Sequence, residues 1–264
     1  MSDITSSHNP RLKAAVKLRD RRDRVSEGRF LIDGRRELER ALVAGIAIVE
    51  VFVKEDEKRA DELAPLVNQL RQAGASILRT APAPFAKLAF GDRDEGIVAV
   101  AMTPQTSLAS LTLPPHPLVA VLEGIEKPGN IGAVLRTADA AGVSAVIVAD
   151  GGTDLYNPNA IRASLGAIFT VPVCAASSAE TLAWLRQHGL ATFAARVDGA
   201  MDYSSASYRG PTAIVLGSEA QGLSDVWSRP EVTSISLPMH GVIDSLNISA
   251  TAAILFYEAA RQRK

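Results

Sequence analysis

Cysteine is almost absent from this 264-residue chain, which contains one such residue, Cys174. A single cysteine cannot form an intrachain disulfide, and it cannot by itself build a structural zinc site. Histidine is also scarce, with four residues spread along the chain. The sequence therefore predicts neither a disulfide-stapled fold nor a metal site.

Long apolar runs are lacking as well. Stretches such as Leu118–Leu122 and Ser144–Ala149 are far shorter than the roughly 20 residues that a membrane-spanning helix needs. The first residues, Met1–Ser7, have neither the basic start nor the apolar centre of a secretory signal. We therefore expect a globular protein with no membrane partner and a cytoplasmic location.

Neither sign of charge is in excess, since 28 basic residues face 29 acidic ones and the net charge is −1. This balance argues against nucleic-acid binding through overall charge, but the distribution is uneven. Between His8 and Arg24 there are seven Lys or Arg residues and two Asp residues. Such a block can neutralise RNA phosphates. Taken alone, it is more often the solvated face of a helix, with Leu12, Ala15 and Val16 on the opposite side.

The first hundred residues alternate between helical and strand-like patterns. The periodicity predicts helices at Glu37–Ala44 and Arg59–Ala73, and strands at Ile46–Val53, Ala75–Leu78 and Gly96–Ala101. Four prolines then fall between Met102 and Pro117, where they disfavour helix and favour an extended chain. We expect a first domain at 1–103, a proline-rich linker at 104–117 and a second domain at 118–264.

The second half of the chain alternates more regularly between strands and helices. Strands are predicted at Leu118–Glu123, Ala145–Ala149, Val171–Cys174, Ala191–Ala195, Ala213–Leu216 and Ser234–Leu237, and helices at Ile131–Ala141, Asn159–Ala167, Ala179–His188 and Ser245–Gln262. Several strands are apolar throughout, which is typical of parallel strands covered on both faces. The pattern predicts an open α/β domain, in which ligands bind at the carboxyl ends of the strands.

Three loops at this predicted edge have unusual residues. The first runs from Glu126 to Arg136 as Glu-Lys-Pro-Gly-Asn-Ile-Gly-Ala-Val-Leu-Arg. Asn130 fits the N-cap of the next helix, and Arg136 falls on the side of that helix opposite its apolar face. From this loop alone, Arg136 is equally consistent with an arginine that faces a ligand and with an ordinary surface arginine. The loop has neither the Walker spacing nor G-x-G-x-x-G, which argues against a nucleotide-phosphate cradle and a dinucleotide-dependent dehydrogenase.

The second loop follows the strand that ends at Leu216 and contains Gly217, Glu219 and Gly222. Glycine lets the backbone approach a ligand closely, and a carboxylate there can accept hydrogen bonds. A helix N-terminus capped by Ser218 is the alternative interpretation.

The third loop, residues 237–249, leads into the last helix, for which Asp244 or Ser245 is the expected N-cap. Asn247 is unusual at the start of an otherwise apolar helix. A buried asparagine needs a hydrogen-bond partner, so we expect a specific contact there.

Together the three loops resemble the three ordered motifs of the SpoU (TrmH-type) RNA 2′-O-methyltransferases of the SPOUT class. The matching segments are Pro-Gly-Asn-Ile-Gly-Ala-Val-Leu-Arg-Thr-Ala-Asp-Ala-Ala-Gly at 128–142, Leu-Gly-Ser-Glu-Ala-Gln-Gly at 216–222, and Leu-Pro-Met-His-Gly with Ser-Leu-Asn-Ile-Ser within 237–249. They occur in the family's order, and the resemblance covers Leu118 to Arg263. Weaker motifs at Ser7–Lys13 and Glu27–Gly34 resemble the family's substrate-binding domain.

The resemblance implies a C-terminal domain with a trefoil knot, S-adenosylmethionine as cofactor, and often a homodimer. The positions that match the family's cofactor site are Gly217, Leu237 and Leu246, and Leu216 and Ser245 lie close by in the sequence as further cofactor-binding candidates. The N-terminal part resembles a small α/β RNA-binding module of ribosomal-protein type.

The resemblance also implies four residues for methyl transfer to a ribose 2′-hydroxyl, namely Arg136, Asn130, Glu219 and Asn247. Because a guanidinium is a poor base, Arg136 either acts in a strongly perturbed, desolvated state or stabilises the developing alkoxide while a substrate phosphate takes the proton. The other three residues would orient Arg136 and the ribose.

Structured RNA is the implied partner, and the expected phosphate-binding residues are Arg11, Lys13, Arg19, Arg21, Arg22 and Arg29. The separate N-terminal domain favours large-subunit ribosomal RNA as the target. A tRNA 2′-O-methyltransferase and a non-catalytic RNA-binding or ribosome-assembly factor of the same fold are the alternatives.

Overall fold

The computed structural model describes residues 3–90, 94–152 and 154–264. The chain divides into two compact units, Met1–Pro104 with Tyr156–Thr170, and Gln105–Leu155 with Val171–Lys264.

The elements are numbered along the chain. The strands are β1 Arg29–Asp33, β2 Ile48–Lys54, β3 Ser76–Thr80, β4 Ile97–Met102, β5 Leu118–Glu123, β6 Ala145–Ala149, β7 Val173–Ala176, β8 Ala191–Ala195, β9 Met201–Asp202, β10 Thr212–Leu216 and β11 Val232–Ser236. The helices are α1 Pro10–Lys17, α2 Arg21–Glu27, α3 Arg35–Val43, α4 Glu57–Gln72, α5 Pro82–Phe85, α6 Pro128–Ala141, α7 Pro158–Ala163, α8 Ala167–Thr170, α9 Ser178–Gln187 and α10 Ile248–Gln262. Within the described residues, no helix has the length and apolar character needed to cross a membrane.

The first unit is built on a four-stranded sheet with the order β1-β4-β2-β3. Strand β4 is antiparallel to both neighbours, whereas β2 and β3 are parallel. Helix α1 buries Leu12 and Ala15 against this sheet's core, as the helical spacing predicts. Its N-terminus is set by Pro10 and by Asn9, whose side chain accepts from the backbone of Arg11.

The segment Tyr156–Thr170 belongs to the first unit, although the sequence placed it in the second domain. The physical reason is aromatic packing, since Tyr156 stacks on Phe30 with ring centroids 4.7 Å apart. Burial in this contact raises the pKa of Tyr156 to about 12. In addition, Arg40 donates to the carbonyl of Leu165 at 2.7 Å.

The same segment also corrects a predicted helix. The expected single helix Asn159–Ala167 is two short helices, α7 and α8. Leu165 and Gly166 between them have φ values of +53° and +82°, a left-handed conformation that ends α7.

The second unit contains a seven-stranded sheet with the order β7-β6-β5-β10-β8-β11-β9. All of its strand pairs are parallel, which confirms the predicted α/β class. Every residue of β5, β6 and β10 is buried, as expected for strands covered on both faces. The carboxyl ends of β5, β10 and β8 therefore lie side by side at one edge.

The starts of two helices differ from the sequence-based expectation. Helix α6 begins at Pro128, with Lys127 as N-cap, so Asn130 is its third residue and not the cap. Proline is favoured at the first helical position because its φ is already helical. Helix α10 begins after Asn247, which is the N-cap in place of Asp244 or Ser245.

Candidate active site

A cavity of about 560 Å³ lies at the carboxyl edge of the second unit's sheet. The predicted cofactor residues Leu216, Gly217, Leu237, Ser245 and Leu246 all line it. The structure thus brings together two segments that are separated by about twenty residues in the chain. This placement is where parallel α/β sheets bind ligands.

One wall of the cavity is a tight turn that follows β10. Ser218 and Gly222 exchange two backbone hydrogen bonds, of 3.2 and 3.0 Å, and Gly222 has a φ of +66°. No helix begins at Ser218, so the cap interpretation of this residue is wrong. A Cβ on Gly217 would lie 2.3 Å from the carbonyl oxygen of Gly222. Only glycine fits at position 217, because the turn folds back against its backbone.

Another part of the lining comes from the end of β8 and the residues after it. The Arg196 guanidinium donates to Asp198 at 3.1 Å and to the Ser228 hydroxyl at 3.3 Å. The hydrogen bond from Arg196 lowers the pKa of the Asp198 carboxyl. The charged residues that line the cavity are Arg196, Asp198, Glu219 and Asp244. With three carboxylates and one guanidinium beside several leucines, the cavity suits a ligand that is partly apolar and partly cationic.

A polar cluster formed by Asn130, Glu219 and Asn247 lies where the three loops meet. Glu219 Oε1 accepts from Asn130 Nδ2 at 3.3 Å and from Asn247 Nδ2 at 2.5 Å. Its other carboxylate oxygen lies 3.5 Å from the Lys127 ammonium. Glu219 thus joins α6 to the start of α10, and two amide groups are oriented by one carboxylate.

Asn247 has the predicted specific contact but not the predicted burial. Its side chain is exposed, and Oδ1 accepts from the backbone of Ser249 at 2.9 Å as the cap of α10. The cap fixes the side chain, so that Nδ2 donates to Glu219.

Arg136 does not take part in this cluster. It lies on α6 with an exposed side chain, and among the described residues its guanidinium makes no hydrogen bond or ion pair. Helix α6 packs against α10, whose first turn follows Asn247. The guanidinium is therefore available to a molecule from outside this chain.

The predicted RNA-binding residues fall into two groups. The first group has partners within the chain. Arg11 Nε forms an ion pair with Glu50 Oε1 at 2.7 Å. The Arg19 guanidinium donates to the backbone carbonyls of Lys87 and Ala89 and lies 4.4 Å from the centre of the Phe90 ring. Arg21 also has an intramolecular partner, and Arg29 begins β1 half-buried. The remaining two are Lys13 and Arg22. Their side chains are exposed and make no hydrogen bond or ion pair with other described residues.

No group of three His, Cys, Asp or Glu side chains with the arrangement of a metal site occurs among the described residues. Cys174 is buried, and burial raises the pKa of its thiol to about 11. A reactive thiolate is thus disfavoured at this position.

Comparison with known proteins gives two matches to family models. The SpoU rRNA Methylase family matches residues 117–257, and an MRM3-like substrate binding domain matches residues 9–99. The first match covers more than half of the chain. The chain belongs to the SpoU rRNA methylase family. The second match covers most of the sheet of the first unit.

SpoU relatives match along nearly the full length. The 23S rRNA (uridine(2479)-2′-O)-methyltransferase of Streptomyces viridochromogenes is 30% identical, with 98% of this chain and 97% of the relative covered. A crystal structure of an RNA 2′-O ribose methyltransferase is 44% identical with a TM-score of 0.83, over 98% of both chains. The AdoMet-bound rRNA methyltransferase from Sinorhizobium meliloti is 25% identical with a TM-score of 0.88, and the match covers 98% of this chain and 97% of that one.

A structure concerning 2′-OH methylation of C/U34 on tRNA matches differently. It is 32% identical with a TM-score of 0.52, and 97% of its chain aligns with 56% of this one. That protein is therefore matched almost completely by part of this SpoU chain.

Two residues near the SpoU motifs were missed by sequence reasoning. From the sequence, Glu123 is only the end of a predicted strand, and Lys127 is only one residue of the first loop. A carboxylate that ends the otherwise apolar run Leu118–Leu122 is a usable signal, because such a group needs several donors when buried. The Lys127–Glu219 contact joins residues far apart in the chain and has no local signal.

Proposed function

We propose that this chain is an S-adenosylmethionine-dependent RNA 2′-O-ribose methyltransferase that acts on large-subunit ribosomal RNA. The observation that carries the proposal is the cavity at the sheet edge, lined by the second and third loops, together with the Asn130–Glu219–Asn247 cluster, which joins the first loop to them. Membership of the SpoU family supports the reaction, and the AdoMet-bound relative supports the cofactor.

The residues of the cavity fit this cofactor. Leu216, Leu237 and Leu246 provide apolar surface for a flat base, and Gly217 allows the turn that forms one wall of the cavity to fold back against its own backbone. The carboxylates in the lining suit the positive charges of the ligand. Ser245 adds a hydroxyl. When bound, S-adenosylmethionine supplies an electrophilic methyl group on a sulfonium.

The polar cluster orients the substrate ribose. Transfer to an oxygen requires the attacking hydroxyl to lie in line with the bond that breaks, and alignment contributes about 7–11 kcal/mol at its upper limit. Asn130 and Asn247 present amide groups held by Glu219. The Arg136 guanidinium is free of intramolecular partners among the described residues and is therefore available to the substrate. It stabilises the negative charge that develops on the 2′-oxygen, while a substrate phosphate accepts the proton that the hydroxyl loses.

Ribosomal RNA is favoured over tRNA by the extent of the matches. The relative that acts on 23S rRNA aligns over both units of this chain. The tRNA enzyme aligns with only 56% of this chain, although 97% of its own length is used in the match. The first unit matches a substrate-binding domain, and its exposed Lys13 and Arg22 are suited to phosphates. We also propose a cytoplasmic location.

We further propose that the second unit is a trefoil knot and that the chain forms a homodimer. The family resemblance supports both. On α10, Tyr257 is 53% exposed, which leaves an aromatic surface for a second copy. Light scattering on the purified chain should give twice the mass of the chain.

Methyl transfer should not depend on a metal ion. Since the donor is already activated as a sulfonium, methyl transfer should persist in EDTA.

The decisive test of the activity is transfer of radiolabelled methyl groups to rRNA, with the modified nucleotide mapped afterwards. Arg136→Ala should lower turnover by at least about 100-fold, since a charge stabiliser is removed, while the dissociation constant for S-adenosylmethionine changes less than twofold. Arg186→Ala, on α9, is the control, because Arg186 is also exposed on a helix. Full turnover by Arg136→Ala would overturn the assignment.

RNA binding through the first unit is tested by charge reversal. Lys13→Glu with Arg22→Glu should weaken rRNA-fragment binding about tenfold or more, because two exposed cations are replaced by anions. The slope of log K against log salt should fall by about two, because each phosphate that a cation neutralises contributes nearly one to that slope. Arg71→Glu, on α4 of the same unit, is the control for a single charge reversal. Equal weakening by the control and the double variant would contradict a specific role.

A further inference from the structure

Glu123 is a buried carboxylate with an unusually complete set of donors. It is the last residue of β5 and 6% exposed. Oε1 accepts from the Ser178 hydroxyl at 2.5 Å, the Ser224 hydroxyl at 2.7 Å and the Trp227 indole N–H at 2.8 Å. Oε2 accepts from the Ser224 backbone N–H at 2.7 Å. No Lys or Arg of the described residues pairs with it, so hydrogen bonds alone compensate for the burial of this carboxylate.

The donors come from two different places in the second unit. Ser178 is the first residue of α9 and is not among the residues that line the cavity. Ser224 directly follows the turn 217–223, whose residues form one wall of the cavity. Trp227, 1% exposed, ends the 3-10 turn that continues from Ser224. Three of the four bonds thus attach the end of the turn to β5, while its start is fixed by β10.

We propose that Glu123 is a positioning residue that holds the turn 217–223 in the conformation that binds S-adenosylmethionine. The proposal rests on the proposed function for the identity of the ligand. Because its side chain is buried, Glu123 itself cannot touch the substrate and acts through Ser224. Hydrogen bonds to an ionised carboxylate are stronger than bonds between neutral groups, and fixed geometry in the free protein reduces the ordering that ligand binding must accomplish.

Two serines that donate to the same oxygen provide a matched comparison. Ser224→Ala removes a hydroxyl bond on the side of the turn, and Ser178→Ala removes one on the side of α9. Both variants should lower the melting temperature to a similar extent. Ser224→Ala should raise the dissociation constant for S-adenosylmethionine about five- to tenfold in calorimetry, whereas Ser178→Ala should change it less than twofold.

Glu123→Gln tests the carboxylate itself. The amide keeps one acceptor oxygen and presents N–H groups to donors, so the dissociation constant should rise more than for Ser224→Ala. The KM for S-adenosylmethionine should rise with it, while kcat at saturation stays near the wild-type value.

Amide hydrogen exchange on the ligand-free protein provides a readout that does not depend on activity. Exchange at 217–225 should accelerate in Glu123→Gln and in Ser224→Ala but not in Ser178→Ala. Wild-type affinity and exchange in folded Glu123→Gln, or equal effects of the two serine variants, would overturn the proposal. Failure of the wild-type protein to bind S-adenosylmethionine would instead refute the proposed function. The exchange data would still show whether Glu123 holds the turn 217–223 in place.

Discussion

At the scale of single residues, the cavity depends on how closely the backbone folds on itself at Gly217. A Cβ there would lie 2.3 Å from the Gly222 oxygen and 2.8 Å from the Leu223 nitrogen. Neither atom can move away easily, because Gly222 and Ser218 are paired through two backbone hydrogen bonds. The requirement for glycine is thus steric and comes from the turn, not from the φ of Gly217 itself.

Gly217→Ala should therefore disrupt the turn and the cofactor site together. Overpacking of this kind costs about 1–3 kcal/mol, and we expect a lower melting temperature and at least a tenfold weaker affinity for S-adenosylmethionine in calorimetry. Gly210→Ala is the control, since a Cβ at Gly210 meets no atom within 4 Å. Unchanged cofactor affinity in Gly217→Ala would show that the turn does not contact the ligand.

At the scale of elements, the start of α10 combines a structural and a functional contact in one side chain. Asn247 Oδ1 caps the helix through Ser249, and Nδ2 donates to Glu219. Helix capping explains why the amide is held in one orientation, and Glu219 in turn orients Asn130. The two contacts use different atoms of Asn247 and can be separated.

Asn247→Ser should separate them, because serine is a good N-cap but has no amide N–H₂ to donate to Glu219. Stability should change by less than about 0.5 kcal/mol, while methyl transfer falls about tenfold or more. Asn157→Ser makes the same exchange at the N-cap of α7, where the side chain accepts from the backbone of Asn159, and should leave turnover unchanged. A large drop in stability with wild-type turnover in Asn247→Ser would mean that only the cap matters.

The elements themselves could largely be predicted from local pattern. Fully apolar runs identified β5, β6 and β10, because parallel strands are buried on both faces. Helix starts were less accessible, since Asn130 and Ser245 are good caps in isolation and the structure uses Lys127 and Asn247 instead. Capping depends on where the preceding chain comes from, which a local pattern does not contain.

At the scale of the whole molecule, the decisive contacts join residues far apart in the chain. Asn130 and Glu219 are 89 residues apart, and Glu123 and Trp227 are 104 apart. Sequence periodicity contains no information about contacts over such distances. Only the resemblance of the three loops to one family indicated that Asn130 and Glu219 lie close together. Glu123 and Lys127 were not identified, because their partners are set by the fold.

Tyr156–Thr170 is the clearest case of a contact that follows from the fold alone. Phe30 of β1 is fully buried, and its ring packs against Tyr156 at 4.7 Å and against Phe169 at 6.1 Å. Two arginines add bonds to carbonyls, from Arg40 to Leu165 and from Arg162 to Phe90. The first unit is therefore complete only with a segment that is more than fifty residues beyond its last strand.

A fragment of Met1–Pro104 alone should accordingly be unstable. Removal of the aromatic partners uncovers Phe30, and removal of large core side chains costs about 3–5 kcal/mol, which is a large share of the stability of a domain of this size. A second fragment, in which a flexible glycine–serine linker joins Pro104 to Tyr156–Thr170, restores the contacts. It should unfold cooperatively in urea, whereas the first should not. The joined fragment with Tyr156→Ala serves as the control and should be destabilised by about 3 kcal/mol. If the short fragment, the joined fragment and its Tyr156→Ala variant were equally stable, the first unit would fold without the segment Tyr156–Thr170.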